Sequence, residues 1–357
     1  MPGEQLNYFK FKWLNNEGKE TGLFRKRGTF DGETLVLNDV ALPIDSIVSF
    51  DAREKFIAVA VVTPQGEVTS IAAALSGMAA SELKSRVDAA CSGVWAQKEK
   101  KELEQTGEGH RYRDGCCRHC DATVVLTDME PSPQVYCGYC DELSTTDAKP
   151  ALLSAERGLK ICEECGMFSR PKKFTIFYFY FLVVLWGFRQ RVTWRCPACM
   201  RGEAWKMFFG NLLFVIGVPV AIAQLIRAYG GSVSGPFAGL DKANIKASRG
   251  EPIKAVDDYR AILKRVPNSA GIKFNIGLGL LKQKTEMAAE SFKLALKDCA
   301  NYTPAANALA HCYKELGQEE ELKALKKKWG QEEPEPESGS QEPSALPTGE
   351  PPALPSS

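Results

Sequence analysis

The stretch FTIFYFYFLVVLWGF (Phe174–Phe188) carries no charge and lies between two cysteine pairs, CEEC at Cys162 and Cys165 and CPAC at Cys196 and Cys199. If it crossed a bilayer as a helix, the two pairs would sit on opposite faces and could not share a metal. Fifteen residues make a helix of about 22 Å, short of a hydrocarbon core of about 30 Å. The composition is aromatic and β-branched, which favours strands. The RQRVTWR that follows alternates, with Val192 and Trp194 on one side and Arg189, Arg191, Thr193 and Arg195 on the other. The pattern predicts a β-hairpin over residues 173–195, turning near Trp186 and Gly187. Its aromatic surface suits the bilayer interface, where Trp and Tyr concentrate. Burial in a soluble core is the alternative.

The cysteines extend the argument. Of twelve, eight fall in C-x-x-C pairs, leaving Cys91, Cys116, Cys299 and Cys312. The first two pairs, Cys117/Cys120 in CRHC and Cys137/Cys140 in CGYC, are separated by sixteen residues. That spacing falls in the zinc range. Two thiolates on a tight turn give half a tetrahedron, and a second turn completes it. The second set, Cys162/Cys165 and Cys196/Cys199, has a longer gap of thirty residues. Gly138, Gly166 and Pro197 read as knuckle residues. Four thiolates leave no open position for an activated water, so two structural Zn2+ ions are expected. A redox role would need a βαβ setting that the sequence lacks. His119 and Cys116 read as bystanders. Paired thiolates also imply a reducing compartment.

The first set resembles a zinc ribbon. The second is similar to LITAF-type domains, in which an apolar membrane-anchoring insert separates the halves of a zinc site. This resemblance covers about 162–199, with a shorter insert and without that family's pattern around the second knuckle. It implies membrane contact and nothing further.

A second apolar run, Met207–Ile226, is twenty residues bracketed by Lys206 and Arg227. As one helix it would match a bilayer. Segment 207–227 is therefore expected to be a transmembrane or re-entrant helix. A single crossing is preferred, and a break at Pro219 is the alternative. Ten Lys/Arg lie between Arg157 and Lys206, against Glu163, Glu164 and Glu203. This basic flank fits an anionic membrane surface and places the cysteine pairs on the cytosolic face. The tail 330–357 carries six Glu and seven Pro, with no Lys or Arg, and is expected to be disordered.

Residues 1–95 read as short strands closed by one helix, with Leu83, Val87, Ala90 and Val94 on its inner face and Asp31-Gly32 as a hairpin turn. The topology resembles a pleckstrin-homology-like barrel. Residues 96–114 read as a charged linker, followed by ribbons over 115–145 and 158–202. No signal peptide is expected at the N-terminus. Residues 250–316 repeat at a period of 33: Ala255 matches Ala288, Tyr259 matches Phe292, Ile262 matches Ala295, Asn268 matches Asn301 and Leu280 matches Tyr313. Residues 236–329 thus resemble two and a half to three tetratricopeptide repeats, without the usual helix-A tryptophan. The resemblance implies a protein or peptide partner.

The fold class expected is multidomain α+β. No P-loop, H-E-x-x-H or G-x-S-x-G occurs, and no enzyme is expected. The reading is a membrane-anchored adaptor whose partners are lipid and a protein or peptide. A nucleic-acid-binding ribbon protein is the alternative, disfavoured because the basic block coincides with apolar runs.

Overall fold

The computed structural model describes residues 7–15, 17–182, 185–212, 217–230 and 232–329, so the acidic tail lies outside the described residues. The chain divides into two compact units. One holds residues up to Asp128 together with Cys137–Cys140; the other holds Met129–Tyr136 and the chain from Asp141. The architecture is multidomain α+β, with an N-terminal antiparallel sheet and a C-terminal helical region.

The first unit begins with seven strands: β1 (Asn7–Trp13), β2 (Lys26–Phe30), β3 (Thr34–Leu37), β4 (Val40–Pro43), β5 (Ile47–Arg53), β6 (Phe56–Val62) and β7 (Val68–Ser76). They form one antiparallel sheet in the order β4-β3-β2-β1-β7-β6-β5. Alternation sets its inner face: Phe9 and Phe11, Leu35 and Leu37, and Ile57, Val59 and Val61 are all buried. The β2–β3 turn uses Asp31 and Gly32, as the dipeptide predicts. Asp31 Oδ1 accepts the N–H groups of Glu33 and Thr34, and Gly32 has φ +101°. Helix α1 (Ala80–Gln105) covers the sheet with Ala80, Leu83, Val87 and Cys91. Two expectations need correction. Val94 is exposed, because the buried stripe follows Cys91, Ser92 and Ala96. Residues 96–105 are no linker but the last turns of α1, whose Lys100 lies over the Tyr112 ring. Strands β8 (Asp114–Cys116) and β9 (Thr123–Val125) adjoin α1, where Thr123 N–H donates to Ser92 Oγ at 2.8 Å.

Next come β10 (Gln134–Cys137), β11 (Glu142–Thr145), α2 (Pro150–Glu156), β12 (Lys160–Ile161) and β13 (Phe168–Ser169), then the long pair β14 (Lys172–Leu182) and β15 (Leu185–Arg195). The hairpin exists as the composition predicts, with a shifted turn. Lys172 pairs with Arg195 and the ladder keeps one register to Leu182 and Leu185, so Trp186 and Gly187 lie inside β15. The strand ends are pinned by the flanking cysteine pairs, and one unbroken register carries the pairing past Trp186 and Gly187.

The run Met207–Ile226 is not one helix. Helix α3 (Pro197–Asn211) starts inside the CPAC knuckle, and helix α4 (Val218–Tyr229) is a separate element packed beside it. Asn211, the last residue of α3, donates to the carbonyls of Met207 and Phe177, at 2.7 and 2.9 Å. Pro219 lies in the first turn of α4, where its missing N–H costs nothing. The helices run back to back: Arg201 Nε donates to the Ala228 carbonyl and Trp205 Nε1 to Tyr229 Oη. Among the described residues, no helix is long and apolar enough to cross a membrane.

Six helices follow: α5 (Leu240–Ser248), α6 (Pro252–Leu263), α7 (Ala270–Leu280), α8 (Thr285–Asp298), α9 (Thr303–Glu315) and α10 (Glu319–Lys328). The starts of α6 and α8, and of α7 and α9, differ by the 33 residues of the sequence repeat. Ala255, Ala288, Tyr259 and Phe292 are buried at equivalent places. Gly277 is glycine because a β-carbon there would overlap the Phe292 ring.

Candidate metal centres

Two groups of four thiols are brought together: Cys117, Cys120, Cys137 and Cys140, and Cys162, Cys165, Cys196 and Cys199. The sulfur–sulfur distances include 3.7 Å for Cys117–Cys140, 3.6 Å for Cys120–Cys137, 4.0 Å for Cys162–Cys199 and 3.7 Å for Cys165–Cys196. A tetrahedron with metal–sulfur bonds of about 2.3 Å has edges of about 3.8 Å. Both groups are therefore compatible with a metal ion each. Cys116 and the His119 ring stand outside them; His119 contributes its backbone N–H, 3.5 Å from Cys117 Sγ.

Local backbone chemistry builds each knuckle. Cys120, Cys140 and Cys165 are each followed by a residue at positive φ: Asp121 at 60°, Asp141 at 61° and Gly166 at 70°. Aspartate and glycine are among the few residues that enter this region readily. Gly166 thus acts as the sequence suggested. Gly138 is not at positive φ, and Asp141 makes the turn in its place. The fourth knuckle differs. Cys196 is the N-cap of α3, Pro197 is its first residue and Cys199 lies in its first turn. A helix N-terminus favours negative charge, so these two thiolates gain from the helix dipole. Cys196 N–H also donates to Cys162 Sγ at 3.2 Å.

Without an ion, the clustered thiols share charge unevenly. Hydrogen bonds from Cys120, Cys137 and Cys140 hold Cys117 far below the usual thiol range, and its thiolate pushes Cys120 and Cys140 far above it. Cys162 is likewise lowered by Cys165, Cys196 and Cys199, while Cys196 and Cys199 are raised, foremost by Cys162. Four thiolates this close coexist only around a positive ion. Four thiolates would close the shell of such an ion without a position for substrate.

The thirty-residue gap of the second group is spanned by β14 and β15, whose paired ends return the chain to within bonding distance. The CEEC glutamates take part, which spacing alone did not reveal. Glu163 accepts the Trp194 N–H at 3.0 Å, and Glu164 pairs with buried Arg195 at 2.8 Å. Arg195 also lies over the Phe174 ring, 5.7 Å from its centre.

Beside this centre, α3 and α4 expose an apolar surface. Trp205, Phe209 and Leu212 line one helix, and Ile222, Ile226 and Tyr229 the other; Phe209 is 63% and Ile226 69% exposed. The Trp205 and Phe209 rings stack at 5.7 Å. Arg201 sits over the Tyr229 ring at 4.5 Å, and Lys206 and Arg227 extend the basic rim.

The chain matches no protein-family model and no curated protein.

Proposed function

We propose that the chain is a membrane-anchored, non-enzymatic adaptor. Each tetra-cysteine group holds one structural zinc ion, which joins its knuckles. The surface of α3 and α4, with the β14–β15 hairpin, rests on an anionic bilayer from the cytosolic side. The helical repeats, read as tetratricopeptide-like, recruit a protein or peptide partner. The first unit is read as a pleckstrin-homology-like barrel joined to a zinc ribbon.

The observation that supports membrane contact is the exposed set Trp205, Phe209, Leu212, Ile222, Ile226 and Tyr229 beside Arg201, Lys206 and Arg227. Apolar and aromatic groups at the acyl boundary with cations at the headgroups are the usual terms of interfacial binding. Division of the run into two short helices favours a segment that enters from and returns to one side, over the single crossing preferred from sequence. The test is flotation of the full chain with vesicles of phosphatidylserine and phosphatidylcholine. Wild type is expected to float, and the double variant Phe209→Glu, Ile226→Glu to stay at the bottom with unchanged helix content. If both float equally, or neither floats, this surface is not the anchor.

A further inference from the structure

The first unit holds a cavity of about 300 Å3 between β5, α1 and the CGYC turn of the first cysteine group. Ile47 and Phe50 line it from the strand, Lys84, Asp88 and Trp95 from the helix, and Tyr139 from the turn. Apolar and aromatic walls with a few convergent polar groups are the usual make-up of a small-molecule site. β5 is the outer strand of its sheet, and an open edge ordinarily invites an added strand. Here Lys84 Nζ donates to the Phe50 carbonyl at 2.9 Å, so backbone that an added strand would need is already taken. The cavity therefore suits a small molecule rather than extended chain.

Charge narrows the class of molecule. Asp88 is only 6% exposed. Lys84 Nζ donates to its Oδ2 at 2.6 Å, and among the described residues no donor meets Oδ1. Burial outweighs the pull of Lys84 and lifts the Asp88 carboxyl above its ordinary range, and the negative charge of Asp51 adds to the rise. A carboxylate so placed is under-neutralised, and a second cation beside it is stabilising. Asp51 lies on the same wall, so the charged side chains around the cavity, Asp51, Asp88 and Lys84, leave an excess of negative charge. The Cys91 thiol is engaged elsewhere: it donates to the Ile44 carbonyl, and burial pushes it up to about 11, which keeps it neutral. Trp95 is 51% and Tyr139 37% exposed. Both are large rings left partly uncovered beside this charge, and the faces of such rings attract cations.

We propose that this cavity binds a small organic cation, an ammonium group on an apolar body, with the ammonium against Asp88 and the body covered by Trp95 and Tyr139. Tyr139 stands between Cys137 and Cys140, so the first cysteine group sets one wall of the site. The site belongs to the first unit alone. Membrane contact through α3 and α4 does not depend on it, so vesicle flotation and this binding can fail separately.

The test is calorimetric titration of the full chain with phenethylammonium and, separately, with 3-phenylpropionate, which has the same ring and tether but a negative group. Phenethylammonium is expected to bind, and 3-phenylpropionate is not. Asp88→Asn keeps the shape, removes the charge, and is expected to weaken phenethylammonium binding roughly tenfold or more. Trp95→Ala is expected to weaken it roughly fivefold. If Asp88→Asn fails to fold, two exposed positions carry the test: Trp95→Ala, and Asp51→Asn, which removes part of the same negative charge and is expected to weaken binding in the same direction. Equal or tighter binding of 3-phenylpropionate, no binding of phenethylammonium at millimolar concentration, or an affinity indifferent to these substitutions overturns the proposal.

Discussion

At Asp121 and Asp141 the side chain matters less than the backbone that it permits. Both follow the second cysteine of a knuckle at positive φ, where a β-branched residue costs about 1–2 kcal/mol. Asp121→Val is expected to weaken metal retention at the first centre by roughly tenfold in chelator competition, and Asp121→Gly to leave it near wild type. Asp31 acts through its charge. Its carboxyl is held below the ordinary range by the N–H groups of Glu33 and then Thr34. A depressed folded pKa stabilises above the unfolded value of about 3.9 and loses that contribution as pH falls through the folded value. Asp31→Ala is therefore expected to melt below wild type at pH 7, with the difference closing as the pH falls through the lowered folded value. The effect is small because the group is exposed. Equal melting at pH 7 would remove the turn from the account.

Elements here are specified by their ends as much as by their patterns. The β14–β15 ladder is held at its base by the second cysteine group, with Lys172 opposite Arg195 and Cys196 next in the chain. Cys162→Ser is expected to loosen that base. Hydrogen exchange should rise over residues 172–178 and 191–195, while strands β1–β7 keep wild-type protection. Uniform protection would show that the hairpin is held by packing alone. In the repeats, pattern and packing coincide. Phe292 is fully buried between α7 and α8, and Phe292→Ala is expected to cost roughly 3–5 kcal/mol in denaturant unfolding of the helical region. A variant that unfolds like wild type would mean that α7 and α8 pack otherwise.

For the molecule as a whole, purified chain is expected to carry two metal ions, measured by elemental analysis. Cys137→Ser and Cys162→Ser should each remove one, because each group is completed within its own unit. Loss of both ions in either variant would show that the centres are coupled. The two groups of four cysteines were legible in the sequence because knuckle geometry is local: a C-x-x-C turn sets half a tetrahedron whatever surrounds it. The hairpin was legible too, since fifteen uncharged aromatic and β-branched residues between halves of one site leave few alternatives. So were the helix pairs, whose 33-residue period records the same packing twice. The end of α3 was not legible. Apolar periodicity runs on past Asn211, and only the packing of α3 beside α4 shows that the run holds two elements. The contact of Asn275 with the Phe168 backbone was hidden for a related reason. Asn275 stands in an apolar helix as an anomaly, and its meaning depends on Phe168, 107 residues earlier in the chain. Local turn chemistry and hydrophobic period act over a few residues and are written in sequence. Which buried polar group meets which distant backbone is settled by packing, because only the folded chain brings donor and acceptor into register.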